Sequence, residues 1–219
     1  MAPTVDQISR ALINGLPALS ADEQHLARVV FRLLAAGRPA PLDAIAADAR
    51  WAIGDVAASL DASPAVFRND DGAVVGFWGL TAEPVTGHRM DTDGIGTAWT
   101  WCSYDTLFIA HLLGVTARVT SRCPVTGDQV RLTVSPDGVR DLDPADAVVS
   151  LLEPDALFDE DVRQTFCRYV LFFASPDAAE IWTENNPGTF WLPVADAFDV
   201  ARRQNAAVFP ALVGADAAP

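Results

Sequence analysis

Cys102, Cys123 and Cys167 are the strongest nucleophiles in the chain, and no two of them form a CxxC pair. Three thiols so far apart form neither a disulfide framework nor a zinc ribbon. Reduced thiols in a cytoplasmic protein are the natural default for this pattern. Cys102 falls where a strand gives way to a helix, with Ser103 as a candidate N-cap. Helix N–H groups and the helix dipole at such a position favour a thiolate. Asp105 follows three residues later, in the first turn, and shares the space in front of Cys102. Cys167 comes after Arg163-Gln164-Thr165-Phe166, and Arg163 would favour a thiolate there too. Read singly, each cysteine is equally accounted for as a small buried hydrophobe.

The remaining chemistry is sparse. There is no GxSxG, HExxH, GxGxxG before a helix or GxxxxGK. His25, His88 and His111 are scattered; His25 reads as solvated and His111 as a satisfied core or boundary residue. All 15 basic residues are Arg, so Schiff-base, pyridoxal-phosphate and P-loop lysines are excluded. The net charge of −14 argues against a nucleic-acid footprint and against an anionic membrane surface. No apolar run is long enough to span a bilayer, and the first twenty residues lack the pattern of a secretory signal.

The elements that must position the thiols can be read from patterning. With 219 residues the chain is long enough to bury roughly 70–75% of its unfolded surface without staples. Ser20 and Glu23 form a capping box, Leu26, Val29, Val30, Leu33 and Leu34 recur at helical spacing, and Gly37 and Pro39 end that helix. Shorter helices are predicted near 42–48 and 55–62. Asp71-Gly72 then sits between two apolar runs as a hairpin turn. Three helices and a hairpin over 1–80 suggest a winged helix-turn-helix, either binding DNA or keeping only the shape. The acidic residues Asp43, Asp48, Asp55 and Asp61 favour the shape alone. Residues 81–98, rich in Thr, Gly, Asp and Pro, read as a connector. Over 99–205 a helix at 105–113 precedes strand candidates at 115–121, 129–134, 147–152 and 170–174. Ser175-Pro176 opens a helix, and a last helix covers 194–205. Residues 206–219 read as a frayed tail. The order of elements reads as α+β, a winged-helix-like part followed by a mixed α/β part. The strand candidates alone do not fix a topology, and a small, largely antiparallel sheet is the expectation for the second part. Trp99 and Trp101 are expected to alternate on one strand and face the same side. With Tyr104 and Phe166 they lie close in sequence to the thiols, as an apolar pocket or as ordinary core.

Several stretches resemble the organomercurial lyase (alkylmercury lyase) family. They are Trp101-Cys102-Ser103-Tyr104-Asp105-Thr106-Leu107, Thr116-Ala117-Arg118-Val119, Cys123 with Thr126-Gly127, and Leu132-Thr133-Val134-Ser135-Pro136. Asp161-Val162-Arg163-Gln164-Thr165-Phe166-Cys167, running into Phe172-Phe173-Ala174-Ser175, is similar to the family's second cysteine segment, and Gly37-Arg38-Pro39 also fits. The resemblance implies protonolysis of a carbon–mercury bond, in organomercury detoxification in the cytoplasm. Cys102, Asp105 and Cys167 would be catalytic and would hold the Hg(II) product, with Cys123 structural. Trp101, Tyr104, Phe166 and Arg163 would line the substrate pocket. It implies no required cofactor, low-molecular-weight thiols as acceptors, and mercuric reductase as a possible recipient of the product.

Those residue types suit the chemistry. Mercury is soft and prefers thiolate to nitrogen or oxygen ligands. One thiolate captures the organomercurial, and a second weakens the carbon–mercury bond. An Asp beside both can take a thiol proton and hand it to carbon. An Asp permanently ionised at a helix N-terminus would be a poor acid at rest, so this relay would supply the proton during turnover. The competing reading is a non-catalytic protein that holds a soft ion, mercuric or cuprous, between Cys102 and Cys167.

Overall fold

The computed structural model describes residues 3–63, 65–153 and 162–213. Helix α1 (Val5–Asn14) opens on a Thr4–Gln7 capping box, in a stretch where the sequence reading places no element. Helix α2 (Ala21–Ala35) begins at the expected box. The Glu23 amide donates to Ser20 Oγ at 3.2 Å, and the Ser20 amide donates to Glu23 Oε2 at 2.8 Å. Its apolar stripe of Leu26, Val29, Val30 and Leu34 is buried. Helices α3 (Leu42–Ala49) and α4 (Ile53–Asp61) follow. The hairpin of β1 (Val66–Arg68) and β2 (Val74–Phe77) turns at Asp71-Gly72, as predicted.

Residues 81–98 are not a plain connector. Strand β3 (Leu80–Thr81) leads into them, and they contain β4 (His88–Thr92) and most of β5 (Gly96–Thr100). Their Thr- and Gly-rich composition hides an alternation in which His88, Met90 and Thr92 point inward. Their pairing is also set by distant partners, since β4 lies between β5 and β6 (Ala117–Arg122). Strands β7 (Gln129–Ser135) and β8 (Gly138–Asp143) complete an eight-stranded antiparallel sheet in the order β1-β2-β3-β5-β4-β6-β7-β8. The wing hairpin is thus continuous with the main sheet, which is larger than the small sheet expected. Gly37 secures the junction: a Cβ there would lie 2.1 Å from the Thr97 carbonyl oxygen, so the end of α2 can meet β5 only as glycine. A second antiparallel sheet places β9 (Val148–Leu152) between β10 (Phe172–Phe173) and β11 (Thr189–Pro193).

Helix α5 (Ser103–Leu113) is buried on every side except at His111, as expected for a helix that is apolar all round. It packs on α8 (Val194–Val208) and against the large sheet. Gly114 ends it in the left-handed conformation. Helix α6 (Val162–Thr165) and a short 3-10 turn at Cys167–Tyr169 precede β10, and α7 (Pro176–Glu184) starts at the predicted Ser175 cap. Over residues 206–213 the tail expected to fray is packed on the fold. Val208 continues the buried stripe of α8, Phe209 is buried, and helix α9 (Pro210–Val213) docks where the Ala211 amide donates to Gln24 Oε1 at 2.8 Å. Residues 214–219 of that tail lie outside the described residues. Among the described residues no helix is long and apolar enough to cross a membrane.

Candidate active site

Cys102 is the N-cap residue of α5, and Asp105 is the third residue of its first turn. The pair closes on itself much as a Ser–Glu capping box does. The Cys102 amide donates to Asp105 Oδ2 at 2.9 Å, and the Asp105 amide points back at the Cys102 sulfur. Cys167 reaches the same place from the other side of the chain, and its segment is held by two ties. The Ser103 amide donates to the Val170 carbonyl at 3.1 Å. The Ser150 hydroxyl, from β9, donates to the Tyr169 carbonyl at 2.6 Å and accepts from the Leu171 amide at 3.0 Å. The ligand atoms of Cys102, Asp105 and Cys167 all lie within 4.8 Å of one another, and all three residues are buried.

This burial reverses an expectation. A thiol at a helix N-terminus was expected below its ordinary range, but Cys102 is pushed well above it. Its desolvation dominates, followed by the neighbouring Cys167 thiol and the negative charge of Asp105. Asp105 is not the permanently ionised group expected either. Loss of water raises its carboxyl to about 7, against the opposing hydrogen bonds from Cys102. Near neutrality the carboxyl therefore divides between the form that accepts a proton and the form that gives one.

A cavity of about 250 Å³ opens on Asp105 and Cys167. Cys102 lies one layer deeper, fully covered. Trp101, Tyr104 and Phe166, which lie close in sequence to the thiols, line the cavity. Arg163 sits outside it, exposed, with its guanidinium 3.8 Å above the Phe67 ring. Phe67 in turn meets Trp101 edge to face at 5.0 Å. Strand β5 stops at Thr100, so the expected alternation of Trp99 and Trp101 does not continue. Trp101 turns into the cavity, while Trp99 stays half-buried beside Arg89 and Thr81. Tyr104 donates its hydroxyl to Gln204 Oε1 of α8 at 3.0 Å. The roof of the cavity comes from Leu12 of α1 and from Gly15, Leu16 and Pro17 after it. Cys123 lies apart in the β6–β7 turn, where the Thr126 amide approaches its sulfur at 3.5 Å. His88 and His111 are absorbed structurally, with Nδ1 atoms on Ser121 Oγ at 2.9 Å and on Asn205 Nδ2 at 3.0 Å. His25 is exposed, as expected.

Comparison with known proteins settles the lineage. The family model described as alkylmercury lyase matches residues 80–205, and the one described as the helix-turn-helix domain of alkylmercury lyase matches residues 4–78. The chain belongs to the alkylmercury lyase family. It is 41% identical over 183 residues to the alkylmercury lyase of Staphylococcus epidermidis, covering 84% of this chain and 82% of that one. With the alkylmercury lyase of Streptomyces lividans it shares 43% identity over 175 residues, covering 80% and 79%. A crystal structure of the mercury-bound form of MerB2 has the same fold, with a TM-score of 0.71 over 93% of this chain and 98% of that one, at 20% identity.

For an alkylmercury lyase site, the sequence reading missed several contributors. Ser150 and Gln204 carry no motif and act from distant strands and helices. The residues around Leu12 and Pro17 reach the site only because α1 packs across α8. Gly79, which falls between the two matched regions, lies against Asp105. Its signal was present in the sequence, as a glycine after an apolar strand.

Proposed function

We propose that the chain cleaves carbon–mercury bonds by protonolysis, with Cys102, Cys167 and Asp105 as catalytic residues. The observation that carries this reading is the buried cluster of two thiols and a carboxyl of raised pKa at the wall of an apolar cavity. Cys167 lines that cavity and meets the organomercurial first. Asp105 in its ionised form takes the thiol proton, and the thiolate bonds to mercury. Cys102 then gives up its proton, the one that leaves to solvent, and its thiolate adds from behind as the second sulfur ligand. The carbon–mercury bond breaks, and its electron pair goes to carbon together with the proton from Asp105. One organomercury cation and two thiols give one hydrocarbon, one Hg(II) held by two thiolates, and one proton released to solvent. The balance needs no electron acceptor, so no redox cofactor is required. The aromatic walls of Trp101, Tyr104 and Phe166 suit an alkyl or aryl group and keep water from the reacting carbon.

An external low-molecular-weight thiol then removes Hg(II) by ligand exchange, with mercuric reductase as a downstream recipient. A cytoplasmic site suits this cycle, because an oxidising compartment would favour a disulfide over two free thiols. The test is hydrocarbon release from a simple alkyl- or arylmercury compound with excess thiol. It compares the unmodified protein with Cys102→Ser, Asp105→Ala and Cys167→Ser. Release by the unmodified protein and its loss in all three variants is the expected result. Tight one-to-one binding of Hg(II) without any release by the unmodified protein would instead establish a soft-metal binding protein.

A further inference from the structure

The tip of the β2–β3 hairpin reaches the site from a side that the thiols do not occupy. Trp78 and Gly79 are its two central residues, with φ of +41° and +96°. Positive φ at both centres is the two-residue turn whose twist matches that of the flanking strands. Tryptophan is a poor choice for that conformation, at a cost on the order of 1–3 kcal/mol. The strain is held in place by neighbours. Trp78 Nε1 donates to Ser63 Oγ at 3.0 Å, and the Trp78 amide donates to the Ala65 carbonyl at 3.0 Å. The Gly79 carbonyl accepts from the Trp101 amide at 2.7 Å, which ties the corner to the residue before Cys102.

Gly79 meets one group above all. A Cβ built there would lie 2.5 Å from Asp105 Cγ and 2.6 and 2.9 Å from its two oxygens. The bare Cα of Gly79 therefore backs directly onto the carboxyl, whose Oδ2 accepts from the Cys102 amide. We propose that Gly79 is a positioning residue of the lyase reaction, the stop that holds the Asp105 carboxyl beside the two thiols. The inference rests on the function proposed above. The backbone on both sides of the contact is fixed, by the hairpin and by α5. The carboxyl hangs on two side-chain torsions, so it is the part that gives way when a methyl group arrives. Such a displacement moves the proton donor and leaves both sulfurs in place.

Gly79→Ala should therefore separate capture from cleavage. Gly72→Ala is the control. Gly72 has a similar φ of +81° in the neighbouring hairpin, but a Cβ there meets nothing within 4 Å. Both variants place an alanine at a positive φ, and only one presses on Asp105. The expected result is a fall in kcat for hydrocarbon release of about tenfold or more in Gly79→Ala, with KM and the one-to-one Hg(II) stoichiometry unchanged. Gly72→Ala should stay within about twofold of the unmodified protein. The proposal is overturned if Gly79→Ala turns over normally, or if its Hg(II) capture falls in step with kcat. Should Gly79→Ala fail to fold, Ser63→Ala decides. Freeing the Trp78 indole should lower kcat severalfold with Hg(II) capture intact, and an unchanged kcat overturns the proposal. Failure of the lyase reading itself is distinct, because the unmodified protein would then release no hydrocarbon.

Discussion

Cys102 and Cys123 are almost equally shut away from water, at 0% and 1% exposure, yet their thiols shift in opposite directions. At Cys102 burial acts together with the Cys167 thiol and the Asp105 charge, and the thiol rises well above its ordinary range. At Cys123 burial works the same way but is outweighed. The hydroxyl and amide of Thr126, with the amides of Ala174 and Val125, direct hydrogen-bond donors at the sulfur and hold its thiol below the usual range. Surface exposure alone does not separate the two sites: Cys102 is packed far deeper, and its neighbours add to the effect of burial, whereas those of Cys123 oppose it. A thiol kept protonated among a carboxyl and a second thiol is quiet toward passing electrophiles. It becomes a good ligand once a soft metal displaces its proton. A thiol ringed by turn amides is an anchor for the turn.

The sharpest test of this contrast exchanges sulfur for oxygen at each position. Cys102→Ser and Cys167→Ser should lower hydrocarbon release to below ~10⁻³ of the unmodified protein, because a hydroxyl neither ionises readily nor binds mercury well. Asp105→Asn keeps an acceptor for the Cys102 amide but removes the proton carrier. Its expected loss is roughly 10²–10⁴-fold in kcat, measured at saturating substrate and thiol. Full turnover by Asp105→Asn would break the relay.

A smaller effect concerns stability against pH. The folded carboxyl of Asp105 holds its proton up to about 7, against 3.8 without its surroundings. Between those values the folded state binds more protons than the unfolded state, so the slope of unfolding free energy with pH is negative. This contribution is fully present below about pH 4 and is lost as pH rises toward about 7. The loss is on the order of a few kcal/mol. Urea titrations at pH 4.5 and 7.5 should show it in the unmodified protein relative to Asp105→Asn. Parallel curves for the two proteins would refute the raised carboxyl.

Much of this arrangement was legible in the residues. The Ser20–Glu23 box, the Asp71-Gly72 turn, the Gly114 stop and the Ser175-Pro176 start are local signals, and each lies where local chemistry puts it. Strands β4, β5 and β8 were missed because their residues are polar, Thr-, Gly- and Asp-rich and lack an apolar alternation, although β4–β5 and β7–β8 are local hairpins closing at Thr92–Gly96 and Ser135–Gly138. Cys102 and Asp105 were readable as a pair because one helical turn joins them. Their protonation was misread because the dipole argument is local, whereas desolvation comes from α8, the hairpin tip and the Cys167 segment closing around them. Ser150 and Gln204 had no local signature, and Gly79 showed only as a glycine after an apolar strand, since each acts on the site through the tertiary fold.

Cys123 supplies the smallest expected effect. Cys123→Ser retains an acceptor for the Thr126 amide in a slightly smaller side chain, and should cost about 1 kcal/mol. For a chain of this size that is a fall in Tm of roughly 2–4 °C. Cys123→Val keeps the bulk but offers nothing to the turn amides, and should cost more, about 1–3 kcal/mol. That ranking separates the two explanations of the residue. If Cys123 were merely a small hydrophobe, Val would be the milder change. If it anchors the turn by accepting hydrogen bonds, Ser is the milder one. Hydrocarbon release should stay within about twofold of the unmodified protein in Cys123→Ser at a temperature well below its Tm, since the β6–β7 turn contributes no residue to the cavity wall. A loss of turnover in folded Cys123→Ser would remove the division between the two thiols, and the cysteines would have to be treated as one coupled set.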